Sequence, residues 1–414
     1  MLATLFDSAV RMHAVRASPA GALLERFAGV LSAAGYAQIT ARRHLRAAEH
    51  FVRWAARHDL WMDGVTEPAV ERFSSHVVRC RCARYGKSDK GLVGGVRLFV
   101  RHLEETGAIK VVRATSSRPA PALLEPFRAW MREQRGTSNP TLDNYGPHIR
   151  ELLERVNGDP SALDARILRQ FVLEGSKACG WATVKHRTTA LRMFLRFLVA
   201  GGHCAGSLEG AVPVVAHWRL ASLPRYLPEA DVERLLASCD VAAAVGLRDR
   251  AVLLLLARLG LRAGDIVQLR LTDLDWKGAW IRVCGKGSRE ARLPLTQEVG
   301  DALVAYLRRG RPRTTSDAVF VRSRPPFHAF ASHCAVSVIV GRALSRAGVT
   351  RPSRGAAHLL RHSVATSMLR HGTSLQDVAA LLRHRSITTT QIYAKVDVEA
   401  LMTIAQPWPE AASC

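Results

Sequence analysis

Residues 357–395 are written as three short helical pieces, and that punctuation narrows the folds open to the chain. The first piece places Leu359, Leu360, Val364, Met368 and Leu369 at three-and-four spacing and stops at Gly372, the residue type that best ends a helix in the left-handed conformation. The second opens at Ser374 with Asp377 three residues on, a variant capping box, and carries Leu375, Val378, Ala379 and Leu382 on its apolar face. The Thr-rich run Thr388, Thr389, Thr390 then suits a short or irregular helical segment, because β-branched side chains lose freedom in a helix. Such a stretch folds as small helices packed on one another.

The polar residues follow the same punctuation. His358 and Arg361 share one face near the N-terminus of the first piece, where the helix end favours an anion. His384 stands at the end of the second, and Tyr393 comes nine residues later. Upstream, Gly260-Leu261-Arg262-Ala263-Gly264-Asp265 follows the apolar run 251–259. Ala279, Ile281 and Val283 alternate with Trp280, Arg282 and Cys284, and residues 289–295 continue the pattern, so Lys286 is expected at a hairpin tip.

Arginine, lysine, H-x-x-R, histidine and tyrosine, in this order and spacing, closely resemble the catalytic half of the tyrosine recombinases, the phage integrase family. The resemblance implies a mainly α fold with a small antiparallel β-hairpin or sheet in the catalytic domain, preceded by a helical, SAM-like core-binding module. It also implies an enzyme, a DNA strand transferase in which Tyr393 stores the phosphate as a 3′-phosphotyrosyl link and frees a 5′-hydroxyl. Tyrosine titrates near 10, so a base or a cationic site must help remove its proton, and His358 is the candidate. Arg262 and Arg361 would hold the phosphate's developing charge with planar guanidinium forks. Lys286 would enter the minor groove and protonate the departing 5′-oxygen; Lys277 lies on the same hairpin. His384 would hydrogen-bond the phosphate, and Asp265 would orient Arg262 or its neighbours. One departure stands out: the residue before the third-motif histidine is usually glycine in this family, and here it is Arg383. If that position takes a positive φ, Arg383 strains the turn beside His384, or adds a phosphate contact of its own.

The rest of the chain is organised ahead of this half. Residues 22–109 read as helical, with Leu45, Ala48, Phe51, Val52 and Ala55 on one face, and a Ser/Pro/Ala-rich linker over 114–121 ends them. Ala122-Leu123-Leu124-Glu125-Pro126-Phe127 then echoes Ala22-Leu23-Leu24-Glu25-Arg26-Phe27, and residues 190–198 align with 95–103, keeping Phe194 with Phe99. We read two tandem helical modules. With the family in view, the division is 1–113, an N-terminal module duplicating the core-binding domain; 122–204, the core-binding, DNA-binding domain; and 222–406, the catalytic domain. Lys185, His186, Arg187, Arg192 and Arg196 lie where basic side chains track phosphates or form ordinary solvated surface, and none is taken as a site. A helix opening at Pro228, another around residues 336–347, and a last one over 398–405 capped by Asp397 complete the expectation.

Charge points to the partner. The 59 Lys and Arg exceed the 35 Asp and Glu to give a net +24, spread among apolar residues instead of gathered in one tail, which favours nucleic acid over a membrane surface. No apolar run approaches the roughly 18 residues of a membrane span, and the N-terminus lacks a cationic region leading into an apolar core. Eight scattered cysteines suit a reducing cytosol; the family resemblance adds the expectation of a bacterial, cytoplasmic, nucleoid-associated protein. His76, Cys80 and Cys82 are the one arrangement suggestive of a metal, but no second Cys/His pair follows at zinc-ligand spacing; neither metal nor cofactor is expected. The expected partners are double-stranded DNA, three more copies of the chain in a homotetramer on synapsed DNA, and sister recombinases. Mobile-element integration or excision is the leading reading. A type IB-like topoisomerase and a catalytically silent DNA-binding partner of another recombinase stay open beside it.

Overall fold

A computed structural model of the chain describes residues 2–60, 67–80, 82, 91–109, 122–204, 206–214, 223–285, 289–350, 355–396 and 401–403. Lys286 lies outside the described residues, as does the expected closing helix with its Asp397 cap, apart from the helical residues 401–403. By internal contact the chain divides into two compact units, one of Met1–Val65, Ala69–Val111 and Leu220–Cys414, the other of Thr66–Pro68 and Val112–Arg219.

The first unit opens with α1 (Leu2–Leu5), α2 (Ala9–Arg16), α3 (Gly21–Ala33), α4 (Gln38–Arg57), α5 (Glu67–Arg79) and α6 (Gly91–Glu105). Helix α4 buries Ala41, Leu45, Ala48, Phe51, Val52 and Ala55, the face its periodicity marks, and packs mainly on α3 and α6. The same helix buries Glu49, whose carboxylate accepts hydrogen bonds from Arg11 of α2 and Arg53, since a charge in such a core needs partners.

The second unit repeats the helical order as α7 (Leu124–Arg135), α8 (Asn139–Arg155), α9 (Ala165–Ala178) and α10 (Trp181–Ala200). The sequence echoes meet in space within each unit: Phe27 packs edge-on against Phe99 with ring centroids 5.1 Å apart, and Phe127 packs edge-on against Phe194 at 5.4 Å. Three of the basic residues on α10 are tied down within the fold. Arg187 is buried, lies 3.6 Å from the Phe171 ring centroid and pairs with Glu151; Arg192 donates to the carbonyls of Val212 and Pro213; Arg196 pairs with Glu209.

Returning to the first unit, its C-terminal part is built around a helix apolar on every side. Helices α11 (Glu229–Ala237), α12 (Ala244–Ala257) and α13 (Ala263–Gln268) lead into strands β1 (Leu274–Asp275), β2 (Trp280–Gly285) and β3 (Arg289–Pro294). Then come α14 (Gln297–Ala305), extended by a wider turn over Tyr306–Gly310, and α15 (His333–Arg346), α16 (Ala356–Arg370), α17 (Leu375–Leu382) and α18 (Gln391–Ala394). Residues Ala251 to Leu256 of α12 are all fully buried, as a helix enclosed by α13, α14, α15 and α16 requires. The sheet is antiparallel in the order β1-β2-β3, with Ile281 opposite Leu293 and Val283 opposite Ala291 on its buried face. The fold is thus mainly α with a small antiparallel sheet. No helix among the described residues is long and apolar enough to cross a membrane.

The paired phenylalanines should each hold their own module together. Phe127→Ala is expected to destabilise the unit holding α7 to α10 by roughly 3–5 kcal/mol, read as a lowered denaturant midpoint, because a truncated core aromatic loses its transfer energy and leaves a cavity.

Candidate active site

The turn after α12 reverses at Gly260, whose φ of +58° is the left-handed conformation glycine tolerates. A Cβ there would come within 2.7 Å of Leu382 and 3.2 Å of Val364, so glycine also lets this turn press against α16 and α17. The close approach places the Gly260 carbonyl where Arg361 of α16 donates to it, and the same guanidinium donates to the carbonyl of Leu382 at the end of α17. Arg361 is 4% exposed, and burial, followed by Arg262 and Arg383 nearby, brings its pKa down to about 10, still cationic at neutral pH.

Arg262 caps α13. Its backbone N–H donates to Asp265 Oδ2 at 2.8 Å, and the same buried carboxylate pairs with the Arg383 guanidinium. Asp265 thereby binds the backbone of one arginine and the side chain of another. Arg383 has φ +53°, the left-handed conformation suited to the glycine usual in the family, and it closes α17 there with its own N–H bonded to the Ala380 carbonyl. Its side chain turns inward to Asp265, and its Nε and Nη1 are buried without a hydrogen-bond partner. Helix α17 starts as its sequence promises: Ser374 Oγ accepts from the Asp377 N–H and donates to the Asp377 carboxylate.

Tyr393 sits on the four-residue α18, after a short turn over Ile387–Thr389, and is 1% exposed. Its hydroxyl lies 2.7 Å from Nδ1 of His362, a residue the sequence reading passed over. His362 is four residues after His358 and so on the same helix face, the one signal that could have drawn notice. The His358 and His362 rings are 6.4 Å apart between centroids, with His358 exposed at the rim. His384 stacks nearly parallel to Tyr393 at 6.5 Å, its Nδ1 2.8 Å from Oγ1 of the fully buried Thr390. Arg262, His358, Arg361, His384 and Tyr393 are thus close enough to act on one another electrostatically, and with His362 and Arg383 they form the candidate cleft. Lys277 lies in the β1–β2 turn, at the opposite end of β2 from residues 286–288.

Electrostatics in the cleft follow from low solvation and excess positive charge. Burial pushes Tyr393 up to about 12, with Arg361 working the other way. Burial first, then neighbouring basic groups, holds His362 and His384 down at about 4, and the same causes lower His358, whose ring lies against the cluster although the residue keeps solvent exposure. The resting site therefore contains neutral imidazoles, a neutral phenol and fixed guanidinium charges, an arrangement that seeks an anion.

Two expectations follow for stability. Arg383→Ala keeps the left-handed backbone cost and strands Asp265, whereas Arg383→Gly removes that cost, so the glycine variant should be the more stable of the two by about 1 kcal/mol in chemical denaturation. His362 and His384 bind their protons less readily folded than unfolded. The unfolded chain protonates them from about pH 6.5 downward and the native state only near 4, so stability should fall as pH drops through that window. Denaturant midpoints at pH 7 and pH 5 would differ accordingly, and His362→Gln should narrow the gap.

Residues 225–400 match the model of the phage integrase family. The chain is 36% identical over 389 residues to y4rA of Sinorhizobium fredii, an integrase/recombinase by name, covering 92% of this chain and 93% of that one. It is 30% identical over 297 residues to the tyrosine recombinase XerD of Listeria monocytogenes serotype 4b, covering 66% of this chain and 94% of the relative. Among solved structures, the XerH site-specific recombinase bound to palindromic difH substrate shares the fold with a TM-score of 0.55 at 20% identity, covering 82% of this chain and 95% of XerH. With arginines and histidines around a buried tyrosine, and with y4rA aligned over 92% of its length, the chain belongs to the phage integrase family of tyrosine recombinases, and the protein is a site-specific recombinase enzyme.

Proposed function

We propose that this recombinase cuts and rejoins double-stranded DNA through a 3′-phosphotyrosyl link to Tyr393, in the integration or excision of a mobile element. The observation that carries the reading is the Tyr393 hydroxyl held 2.7 Å from His362 beside the buried Arg361. The phenolic oxygen attacks phosphorus, the bond to the 5′-oxygen breaks, and the departing oxygen takes a proton. No bond energy is lost, so the freed 5′-hydroxyl of another strand can reverse the step.

Magnitudes constrain the proton's path. With Tyr393 near 12 and His362 near 4, full transfer in the resting cleft is uphill by on the order of 10 kcal/mol. Ionisation ahead of attack is therefore disfavoured, and the proton moves to His362 as the P–O bond forms, with His358 at the rim within reach of the same scissile phosphate. Arg361, oriented by two carbonyls, and Arg262 would turn their other N–H groups to the non-bridging oxygens. His384 hydrogen-bonds the phosphate, Asp265 fixes Arg262 and Arg383, and Lys286 serves as the acid for the leaving oxygen. A net charge of +24 supports DNA as the substrate, with binding that weakens steeply as salt rises.

In this reading residues 222–406 form the catalytic domain, 122–204 the core-binding domain and 1–113 its duplicate. The recurring Phe27–Phe99 and Phe127–Phe194 contacts support that duplication. Exchange proceeds in a homotetramer on two synapsed duplexes, each copy contributing one tyrosine, beside sister recombinases.

The test is a trapping assay on duplex DNA spanning the ends of the protein's own genetic element, nicked so that the short 5′-hydroxyl fragment escapes. A denaturation-resistant protein–DNA adduct is expected for the wild type and none for Tyr393→Phe, while Arg262→Ala should slow its formation by on the order of 10² to 10³ with DNA binding nearly intact. An adduct that persists in Tyr393→Phe, or salt-sensitive binding with no adduct at all, would sink the mechanism.

A further inference from the structure

Helix α4 carries His50 on the side that faces α5, and α5 delivers His76 in its last turn, with Cys80 and Cys82 directly beyond its end. These four residues converge. His50 Nε2 is 3.4 Å from His76 Nε2 and 3.6 Å from Cys80 Sγ, and Cys82 Sγ is 3.8 Å from His76 Nε2. One nitrogen or sulfur from each of the four lies within 4.8 Å of all the others. We infer that His50, His76, Cys80 and Cys82 form a structural zinc site in the N-terminal module.

The edge lengths argue for a shared ion. With Zn–N of about 2.0–2.1 Å and Zn–S of about 2.3 Å, a tetrahedral centre sets its ligands about 3.4 Å apart for N to N, about 3.6 Å for N to S and about 3.8 Å for S to S. The His50–His76 and His50–Cys80 separations match, and His76–Cys82 is slightly longer. A thiol–imidazole hydrogen bond would explain any one of these contacts, because it asks only two atoms to approach. Closing all four donors into one cluster is what a single central cation demands.

Charge and hardness select the ion. Two thiolates and two neutral imidazoles cancel a divalent charge, so the filled site is electroneutral and tolerates the aromatic surroundings of Phe73, with its ring 5.1 Å from His50, and Trp54, 6.1 Å from His76. Sulfur and imidazole nitrogen together favour zinc over the hard, oxygen-seeking magnesium and calcium. Four protein donors close the coordination sphere, which marks a structural site. Its effect is to pin the C-terminal end of α5, and the two cysteines after it, to the middle of α4. The site escapes a sequence search because its fourth ligand lies 26 residues before His76, on another helix, instead of in a second local Cys/His pair. It is made of residues apart from the catalytic set and stands or falls independently of the trapping assay.

The test uses the full-length protein purified without chelators. Elemental analysis should find about one zinc per chain, and exchange into cobalt(II) should give the intense visible bands of a tetrahedral centre with a thiolate-to-cobalt charge-transfer band. The paired change Cys80→Ser with Cys82→Ser, and His50→Gln alone, should each remove the metal, while Cys179→Ser, a change at an exposed cysteine, should retain it. A wild-type protein with its helical circular dichroism intact, yet with less than about a tenth of an equivalent of metal and no cobalt–thiolate band, would overturn the assignment. So would full zinc occupancy in the double-serine variant. The cobalt spectrum is read on the wild type, so a variant that fails to fold does not blunt the test.

Discussion

The cleft depends on one buried cation. Arg361 projects from α16 into a space almost closed to water, and a guanidinium there costs several kcal/mol unless its N–H groups find acceptors. It finds the carbonyls of Gly260, in the turn after α12, and Leu382, at the end of α17, 122 residues apart in sequence, which nothing local would bring together. Each charged hydrogen bond of this type is worth about 1.5–3 kcal/mol, and together they fix the turn that carries Arg262 and the end of α17 that carries Arg383 and His384. The charge that readies the cleft for an anion is thus also the fastener that assembles it.

A second tension lies in the same few residues. Burial makes the tyrosine a poor acid and its histidine neighbours poor bases, so the cleft at rest holds Tyr393 protonated. In the proposed reading a bound phosphate would act on the histidines, because negative charge beside Arg262 and Arg361 offsets the cations that hold the imidazoles neutral. Arg383 belongs to this economy of charge. Its left-handed backbone costs about 1–2 kcal/mol, and its ion pair with Asp265 offsets the strain while locking the N-cap of α13.

Much of the catalytic half was legible in the chain itself. Gly372, the Ser374 cap and the threonine run mark where α16, α17 and α18 end and begin, since these are local preferences of single residues and their neighbours. The order of Arg262, His358, Arg361, His384 and Tyr393 was equally plain. The reading went astray where side chains belong to the interior. Arg187, grouped among surface basic residues, is stacked on Phe171 and paired with Glu151, because a long arginine can bury its stem and satisfy its head within a helical bundle. His362, hidden in plain sight beside Arg361, proved to be the tyrosine's partner.

The sequence by itself therefore determined most of the helices and the family, because capping, periodicity and motif spacing act over a few residues. Only the tertiary structure decided which histidine touches Tyr393, that Arg383 answers Asp265 instead of solvent, and that His50 joins His76, Cys80 and Cys82. Those contacts link positions tens to more than a hundred residues apart, and their geometry is set by how α4, α5, α13, α16 and α17 pack, which no local pattern encodes.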